Sequence, residues 1–383
     1  MEVPFWLGFL MPSTAQVSRT RRAFSRTRRP QPPTATEQGG LGRHLGHASF
    51  AATAAGFAAL WAWARTFGHV ALVGVEGTGA YGAGLARFLT AAGACVVEVD
   101  RPDRKTRRDQ GKSDPIDAYA AARAAASGRA TGIPKSRTGD VESVRVLRVA
   151  RTGAVRDRAK ALTQLKALIV TAPDALRAQL AGLDGARLVA TCARLRSARD
   201  LPPTPSPFAK RPPRPGRLIN PTAATKRALS SIAQRIGDLD DEIAALDDDL
   251  EALIGPLAPT LLSLQGVGLD VAGQLLATTG DNPDRLRHEA AFAHLCGVAP
   301  IPATSGKTNN RHRLNRGGDR QANAALYRIV MCRLRWDPRT RAYVERRTKQ
   351  GHSKKDIIRC LKRYIARDVY AAIQTDLNPQ IGT

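Results

Sequence analysis

Carboxylates are scarce in this chain, and no aspartate occurs before Asp100. Against 59 Lys+Arg stand only 33 Asp+Glu, which leaves a formal charge of +26. Such a deficit argues against cationic partners and points to a polyanion, with nucleic acid ahead of an acidic membrane surface. Cysteine is also sparse. Cys95, Cys192, Cys296, Cys332 and Cys360 are scattered, and no pair has C-x-x-C spacing. That excludes the usual zinc ribbon and a disulfide framework, and it fits a reducing compartment. Long apolar runs are missing too. The stretch from Val3 to Met11 is too short to span a bilayer, and it follows Glu2 rather than a basic segment. It reads neither as a membrane anchor nor as a signal peptide, so the expected location is the cytoplasm. What remains is ordinary for a globular protein: 383 residues at 43% apolar content can fill the cores of two or three domains.

The chain divides by composition. Residues 1–46 hold the arginine run Arg19, Arg21, Arg22, Arg26, Arg28 and Arg29, followed by Pro30, Pro32 and Pro33. No strand or helix period is visible there, so a disordered basic arm is expected. Residues 47–135 read as an α/β layer. A helix is expected over 51–66, a buried strand over His69–Val75, a helix over 80–92 and a second strand over Cys95–Val99. The two strands should be parallel. Residues 136–256 read as a helical region interrupted by a proline-rich loop at 196–222. Within it, Leu229, Ile232, Ile236, Leu239, Ile243, Leu246, Leu250 and Leu253 alternate at spacings of three and four. This heptad seam predicts a coiled coil over 225–255. Its partner is either another chain or the helical segment near 140–170. Residues 257–375 are basic and mostly helical. The fold class is therefore α/β plus all-α.

Three acids stand out: Glu76 in V-E-G-T-G-A-Y, and Asp114 with Asp117 in K-S-D-P-I-D-A. Spacing of three puts both aspartates on one helix face. Ser113 suits an N-cap and Pro115 a first turn, so dipole complementation alone would also explain the pair. Glu76 tips the balance. It ends a buried strand just before Gly77-Thr78-Gly79, and that end of a parallel strand is where α/β sites form. A strand-end carboxylate and two helical ones can bind Mg²⁺ or Mn²⁺ against a phosphodiester. G-K-S at 111–113 is no P-loop, because Thr106 stands where the motif needs glycine.

The last third carries a second constellation. L-L-S-L-Q-G-V-G-L-D-V-A (261–272) has the pattern of a helix-hairpin-helix, with Gly266 and Gly268 able to present backbone N–H groups to a phosphate. Further on, Ser305 lies in A-T-S-G-K-T, close to Lys307, Arg311, Arg313, Arg316 and Arg320. The cations can neutralise phosphates, and a serine hydroxyl among them can attack one. Trp336, Tyr343 and Tyr364 are interleaved with arginines and lysines along 333–367, a pattern shared by nucleic-acid faces and by ordinary helix cores.

With these motifs together, the chain resembles DEDD-type transposases of the insertion sequence 110 family, over about 47–370 with a gap at 196–222. The markers are V-E-G-T-G-A-Y-G, K-S-D-P-I-D-A, the G-V-G turn, A-T-S-G-K-T and R-L-N-R-G-G-D-R-Q-A-N. The resemblance implies a RuvC-like, RNase H-like domain joined to a helical domain bearing a nucleophilic serine. It implies metal-dependent DNA cleavage and strand exchange. Glu76, Asp114 and Asp117 match the second, third and fourth acids, and Ser305 the serine. DNA is the implied partner, with a structured guide RNA and a homo-oligomer in some members. The first acid has no counterpart before Asp100. One expectation is therefore that residues 1–46 replace the family's amino terminus through a shifted frame and that this copy is inactive as written. The alternative of another class is a non-catalytic nucleic-acid-binding protein, either a transposase remnant or an RNA-binding scaffold; a third option, a Holliday-junction nuclease, shares the acids but leaves Ser305 and its arginine-rich loop unexplained.

Overall fold

The computed structural model describes residues 7–12, 21–26, 45–46, 48–99, 121–198, 218–302, 312–315 and 317–378; for 7–12, 21–26 and 313–314 it describes the backbone alone. These residues are mostly helical, and they form two compact units, one from 1–142 with 275–383 and one from 143–274.

In the first unit, β1 (Leu7–Pro12), β2 (Arg21–Arg26), β3 (Leu72–Glu76) and β4 (Val96–Val99) form one sheet in the order β2-β1-β3-β4. β3 and β4 are parallel, with Val73 opposite Val96 and Glu76 opposite Val99. Helix α1 (Ala54–Arg65) precedes β3, and α2 (Ala83–Ala91) makes the crossover to β4. The strands read as an apolar run because they are covered: Val73, Val75, Val96 and Val99 are buried with Leu60, Leu85 and Leu89. Thr53 caps α1 by accepting the Gly56 N–H at 3.1 Å, and the rings of Phe50, Phe57, Trp61, Trp63, Phe67 and Phe88 close the outer side of this core.

One expectation is corrected here. Residues 1–46 were expected to lack regular structure, yet β1 pairs antiparallel with both β2 and β3. The reason is that β3 offers an open backbone edge, and ladder hydrogen bonds need no alternating side-chain pattern. A strand of this kind leaves no period in the sequence. The antiparallel β1–β3 pairing says nothing of an acid on β1, since Leu7–Pro12 contains none.

The second unit is helical. Helix α3 begins at Asp140 and runs to Val170; α4 (Asp174–Leu180), α5 (Gly185–Ala193) and α6 (Pro221–Leu257) follow. Leu165, Leu176, Leu188, Cys192, Leu229 and Ile236 share one core across the four helices. α3 and α6 run antiparallel: Arg151 pairs with Asp247 at 2.5 Å, Arg158 with Asp240, and Arg235 donates to Gln164 at 2.9 Å. The heptad seam thus has a partner inside its own chain. Its ends, Leu229, Ile236 and Leu250, are buried, whereas Leu239, Ile243 and Leu246 are half-buried. Burial also takes in Ser230, Ala233 and Ile254, which lie off the seam. Asp240 and Asp247 of α6 thus each neutralise an arginine of α3.

The chain continues through α7 (Pro259–Ser263) and α8 (Leu269–Thr279) to α9 (Glu289–Leu295), the hairpin β5 (Pro300–Pro302) and β6 (His312–Leu314), and helices α10 (Arg320–Trp336), α11 (Pro338–Lys349) and α12 (Lys354–Leu377). Phe292, Ile329, Val330, Ile365 and Val369 lie in the buried interior of this part. Among the described residues, no helix is long and apolar enough to cross a membrane.

Candidate nucleic-acid site

Glu76 ends β3, and it is half-buried. The chain then turns at Gly77, whose φ of +70° suits glycine and strains other residues. No heavy atom would lie within 4 Å of a Cβ on Gly77 or Gly79, so the loop faces open space on this side. Thr78 is buried and donates its hydroxyl to the Glu98 carboxylate on β4. Tyr81, on the same loop, keeps 73% of its surface exposed. The strand end therefore presents one carboxylate, an open glycine loop and an exposed ring.

The helical stretch 121–126 lies over β3. A Cβ on Gly74 would sit 3.0 Å from the Ala121 carbonyl and 3.1 Å from the Ala125 methyl. Glycine at 74 is what lets the two backbones approach. Asp114 and Asp117 lie outside the described residues.

The amino-terminal sheet and the carboxy-terminal segment are joined in the first unit by a line of side-chain-to-backbone bonds between 132–142 and 277–285. Lys135 Nζ donates to the Ala277 carbonyl at 2.6 Å. The Ser136 N–H donates to Asn282 Oδ1 at 3.1 Å, and Asn282 Nδ2 to the Pro134 carbonyl at 3.0 Å. Arg285 Nε donates to the Ile133 carbonyl at 2.9 Å, and another guanidinium nitrogen to the Thr279 carbonyl at 3.2 Å. Asp281 accepts the N–H groups of Val141 at 2.9 Å and Glu142 at 3.3 Å, so a carboxylate from one segment caps the helix that begins in the other.

Charge is concentrated along this line. Arg285 lies 3.5 Å from Glu98, and its side chain is only 8% exposed. Burial lowers its pKa, while Glu98 acts to raise it. Lys135 is pushed down to about 8, first by burial and then by Arg285. Arg137 reaches back to the acid-bearing loop, donating to the Gly79 carbonyl at 2.8 Å, and it adopts the left-handed φ of +55°. A non-glycine residue there costs about 1 kcal/mol, and the Gly79 bond and the Glu142 pair at 3.6 Å offset that cost. The sequence reading missed Glu98, Lys135, Arg137 and Arg285. A signal for Glu98 was present, since a carboxylate inside V-V-E-V needs a partner.

The base of the β5–β6 hairpin is fixed just as closely. Asp319 caps α10 by accepting the Gln321 and Ala322 N–H groups at 2.8 and 3.2 Å, and it accepts the Thr278 hydroxyl at 2.8 Å. Asn323 Nδ2 donates to the Cys296 and Gly297 carbonyls at 3.0 and 3.1 Å, while its oxygen accepts from Lys362 at 2.8 Å. Burial lowers the Lys362 pKa and raises that of Cys296. Gly318 packs so tightly that a Cβ would lie 2.2 Å from the Gly297 nitrogen. The G-G-D of the sequence thus serves close packing and a helix cap. Ser305, Lys307, Arg311 and Arg316 lie outside the described residues; Arg313 is described by its backbone in β6, and Arg320 is exposed at the start of α10.

Gly266 and Gly268 belong to the second unit. Gly266 has a φ of +89°, and the Val267 N–H donates to the Leu264 carbonyl at 3.0 Å, which makes the turn between α7 and α8. Arg148, 8% exposed, donates to the Asp270 carboxylate at 2.6 Å and to Gln274 at 3.2 Å, anchoring the first turn of α8.

Hard oxygen donors suit a divalent cation such as Mg²⁺. Glu76 supplies one, and Glu98 is engaged by Thr78 and Arg285. Among the described residues there is no group of three His, Cys, Asp or Glu placed to hold a metal. A metal site at Glu76 would need further donors from outside the described residues.

Comparison with known proteins defines the class. Residues 37–172 match a transposase family of the DEDD type, and residues 258–345 match the transposase family described as IS116/IS110/IS902. The chain belongs to the IS110 family of transposases. It is 29% identical over 138 residues to the insertion element IS110 uncharacterized 43.6 kDa protein of Streptomyces coelicolor, a match covering 35% of this chain and 33% of that protein. It is 27% identical over 139 residues to the insertion element IS900 uncharacterized 42 kDa protein of Mycobacterium paratuberculosis, covering 36% of this chain and 34% of that one. The matched portion spans about a third of each relative.

Proposed function

We propose that this chain is the DNA recombinase of an insertion sequence, built to cleave and exchange DNA strands with Ser305 as nucleophile and a divalent ion held by Glu76, Asp114 and Asp117. The observation that carries the reading is the single compact unit formed by 1–142 and 275–383, in which Lys135, Asp281 and Arg285 tie the acid-bearing sheet to the segment leading into the serine-bearing hairpin. A phosphodiester needs both ends of that unit. The Ser305 oxygen attacks phosphorus, one ester P–O bond breaks, and the leaving sugar oxygen takes up a proton. Lys307, Arg311, Arg313, Arg316 and Arg320 offset phosphate charge. A bound Mg²⁺ or Mn²⁺ would polarise the phosphoryl oxygens. The sheet is read as a RuvC-like, RNase H-like layer, the Gly266–Gly268 turn as a helix-hairpin-helix phosphate contact, and α6 as a helix also able to support a homo-oligomer. A structured guide RNA is a further partner in this reading.

With three of the four acids implied by the family resemblance matched, the chain as written is proposed to bind DNA and to cleave it poorly. The test is trapping of a covalent protein–DNA adduct with Mg²⁺, in a version that supplies an aspartate-bearing first strand from the upstream reading frame. Ser305→Ala should abolish the adduct while DNA binding is retained, and Glu76→Gln should slow its formation by about 100-fold or more. DNA binding with no adduct in the completed version, and no effect of either substitution, would favour the second reading, a nucleic-acid-binding remnant.

A further inference from the structure

Helices α11 and α12 are joined by a short turn at 350–353, where Gly351 takes a φ of +82°. Tyr343 of α11 and Tyr364 of α12 meet edge to face, with ring centres 5.8 Å apart. Each ring carries a guanidinium from the next turn of its own helix. Arg346 lies 5.5 Å from the Tyr343 ring centre, and Arg367 lies 5.8 Å from that of Tyr364. Residues three apart share a helix face, so the two rings and two guanidiniums form one contiguous patch. Arg346 and Arg367 are exposed, and among the described residues neither guanidinium makes a hydrogen bond or an ion pair. The acids nearby are engaged elsewhere. Glu345 pairs with Lys349 at 2.7 Å, Asp356 with Arg359 at 2.8 Å and Asp368 with Arg333 at 2.9 Å. Glu289, which feels the charge of Arg367, is bonded to Arg363.

A guanidinium laid against a tyrosine ring is held by the ring's quadrupole, and its planar fork of donors stays available to an oxyanion. Phosphate oxygens match that fork. Burial pushes the Tyr343 phenol up to about 12, so no phenolate opposes an anion there. Tyr343 is half-buried, and each ring already bears a cation. The rings therefore back the arginines rather than stack on bases. A second copy docking through this patch by two-fold symmetry would set arginine against arginine. The phosphates of a nucleic-acid backbone repeat along the strand and can meet both cations, whatever the base sequence.

We propose that Arg346 and Arg367, backed by Tyr343 and Tyr364, form a sequence-independent contact to the phosphate backbone of nucleic acid, in addition to the cations around Ser305. That the partner is nucleic acid rests on the recombinase reading, whereas the choice of backbone over bases rests on the patch itself. The experiment uses the full chain and fluorescence anisotropy over a salt series, with two labelled DNA duplexes of unrelated sequence and one single strand. Arg346→Gln combined with Arg367→Gln should weaken both duplexes equally, by about ten-fold or more, weaken the single strand as well, and lower the duplex salt slope by about two. Arg346→Lys combined with Arg367→Lys should keep the slope and lose about two- to five-fold in affinity, since the charge stays but the fork is gone. Tyr364→Leu should lose a similar amount with the slope kept, since the charges stay but the ring behind Arg367 is gone. Lys160→Gln combined with Lys166→Gln removes the same charge from exposed positions of α3, and it should change the slope by under about one half. An arginine variant with unchanged affinity and slope would overturn the proposal, as would a loss no greater than that of the α3 lysine variant. A loss confined to one duplex, or to the single strand, would also overturn it, because bases would then be the contact. So would a drop in particle mass by light scattering in the arginine variant, since the patch would then join protein to protein. A wild-type chain that bound no nucleic acid of any kind would instead defeat the recombinase reading; binding with insensitive variants defeats only this one.

Discussion

Replacing Arg285 by methionine should destabilise the first unit by about 3–5 kcal/mol, because a buried guanidinium is lost while its carbonyl partners and the half-buried Glu98 stay in place. The magnitude follows from what the guanidinium touches. It donates to the Ile133 carbonyl at 2.9 Å and the Thr279 carbonyl at 3.2 Å, and it lies 3.5 Å from Glu98. Methionine fills much of the volume but leaves two carbonyls and a carboxylate without that donor. Each such hydrogen bond contributes on the order of 1 kcal/mol, and the stranded acid adds more. Glu98 also accepts from Thr78, so the damage should reach the loop that follows Glu76. Urea unfolding followed by tryptophan fluorescence is a suitable assay, since Trp61 and Trp63 pack against the sheet core. Arg285→Lys should recover only part of the loss, because one ammonium cannot reproduce the fork of donors. A change below about 1 kcal/mol for Arg285→Met would refute the idea that these contacts hold the sheet to the carboxy-terminal segment.

Four further expectations follow from single features. Lys135 has a folded-state pKa of about 8 against 10.5 in the unfolded chain, so between these values the unfolded state holds more protons and stability should rise with pH; Lys135→Met should flatten the pH 8 to 10.5 portion of the stability curve. Gly318→Ala should cost about 2–3 kcal/mol or prevent folding, because its Cβ would lie 2.2 Å from the backbone nitrogen of Gly297, and thermal unfolding would show it. Arg148→Ala should cost about 3 kcal/mol in denaturant unfolding, through the loss of its bonds to Asp270 and Gln274. Exchanging the charges of Arg151 and Asp247 should recover most of what either single reversal loses, about 0.5–1 kcal/mol in a double-mutant cycle, if α3 and α6 are antiparallel in this register.

The sequence was most legible where burial imposes a period. The parallel strands at 72–76 and 96–99, their crossover helix and the long helix over the heptad all leave apolar spacing behind. Less was visible where geometry depends on distant backbone. β1 and β2 enter the sheet through backbone pairing, which asks little of side-chain order. The heptad seam did not name its partner; the arginines of α3 at positions 151 and 158 do so only once the antiparallel register is known. At the candidate site, Glu76 was readable from its place after an apolar strand. Glu98 was signalled only as a carboxylate within V-V-E-V, and Lys135, Arg137 and Arg285 were not readable, because their partners are carbonyls and acids far away in sequence. Asp319 lay inside a noted motif, but as a helix cap holding Thr278 it does work that only the fold reveals.

The most direct test of the account compares this chain as written with a version carrying an aspartate-bearing first strand, in one Mg²⁺-dependent DNA cleavage and adduct assay. The account predicts that both bind DNA, that only the completed version forms the Ser305 adduct at a substantial rate, and that Ser305→Ala removes it. Full activity of the chain as written would contradict the need for a fourth acid, and an inert completed version would contradict the recombinase itself.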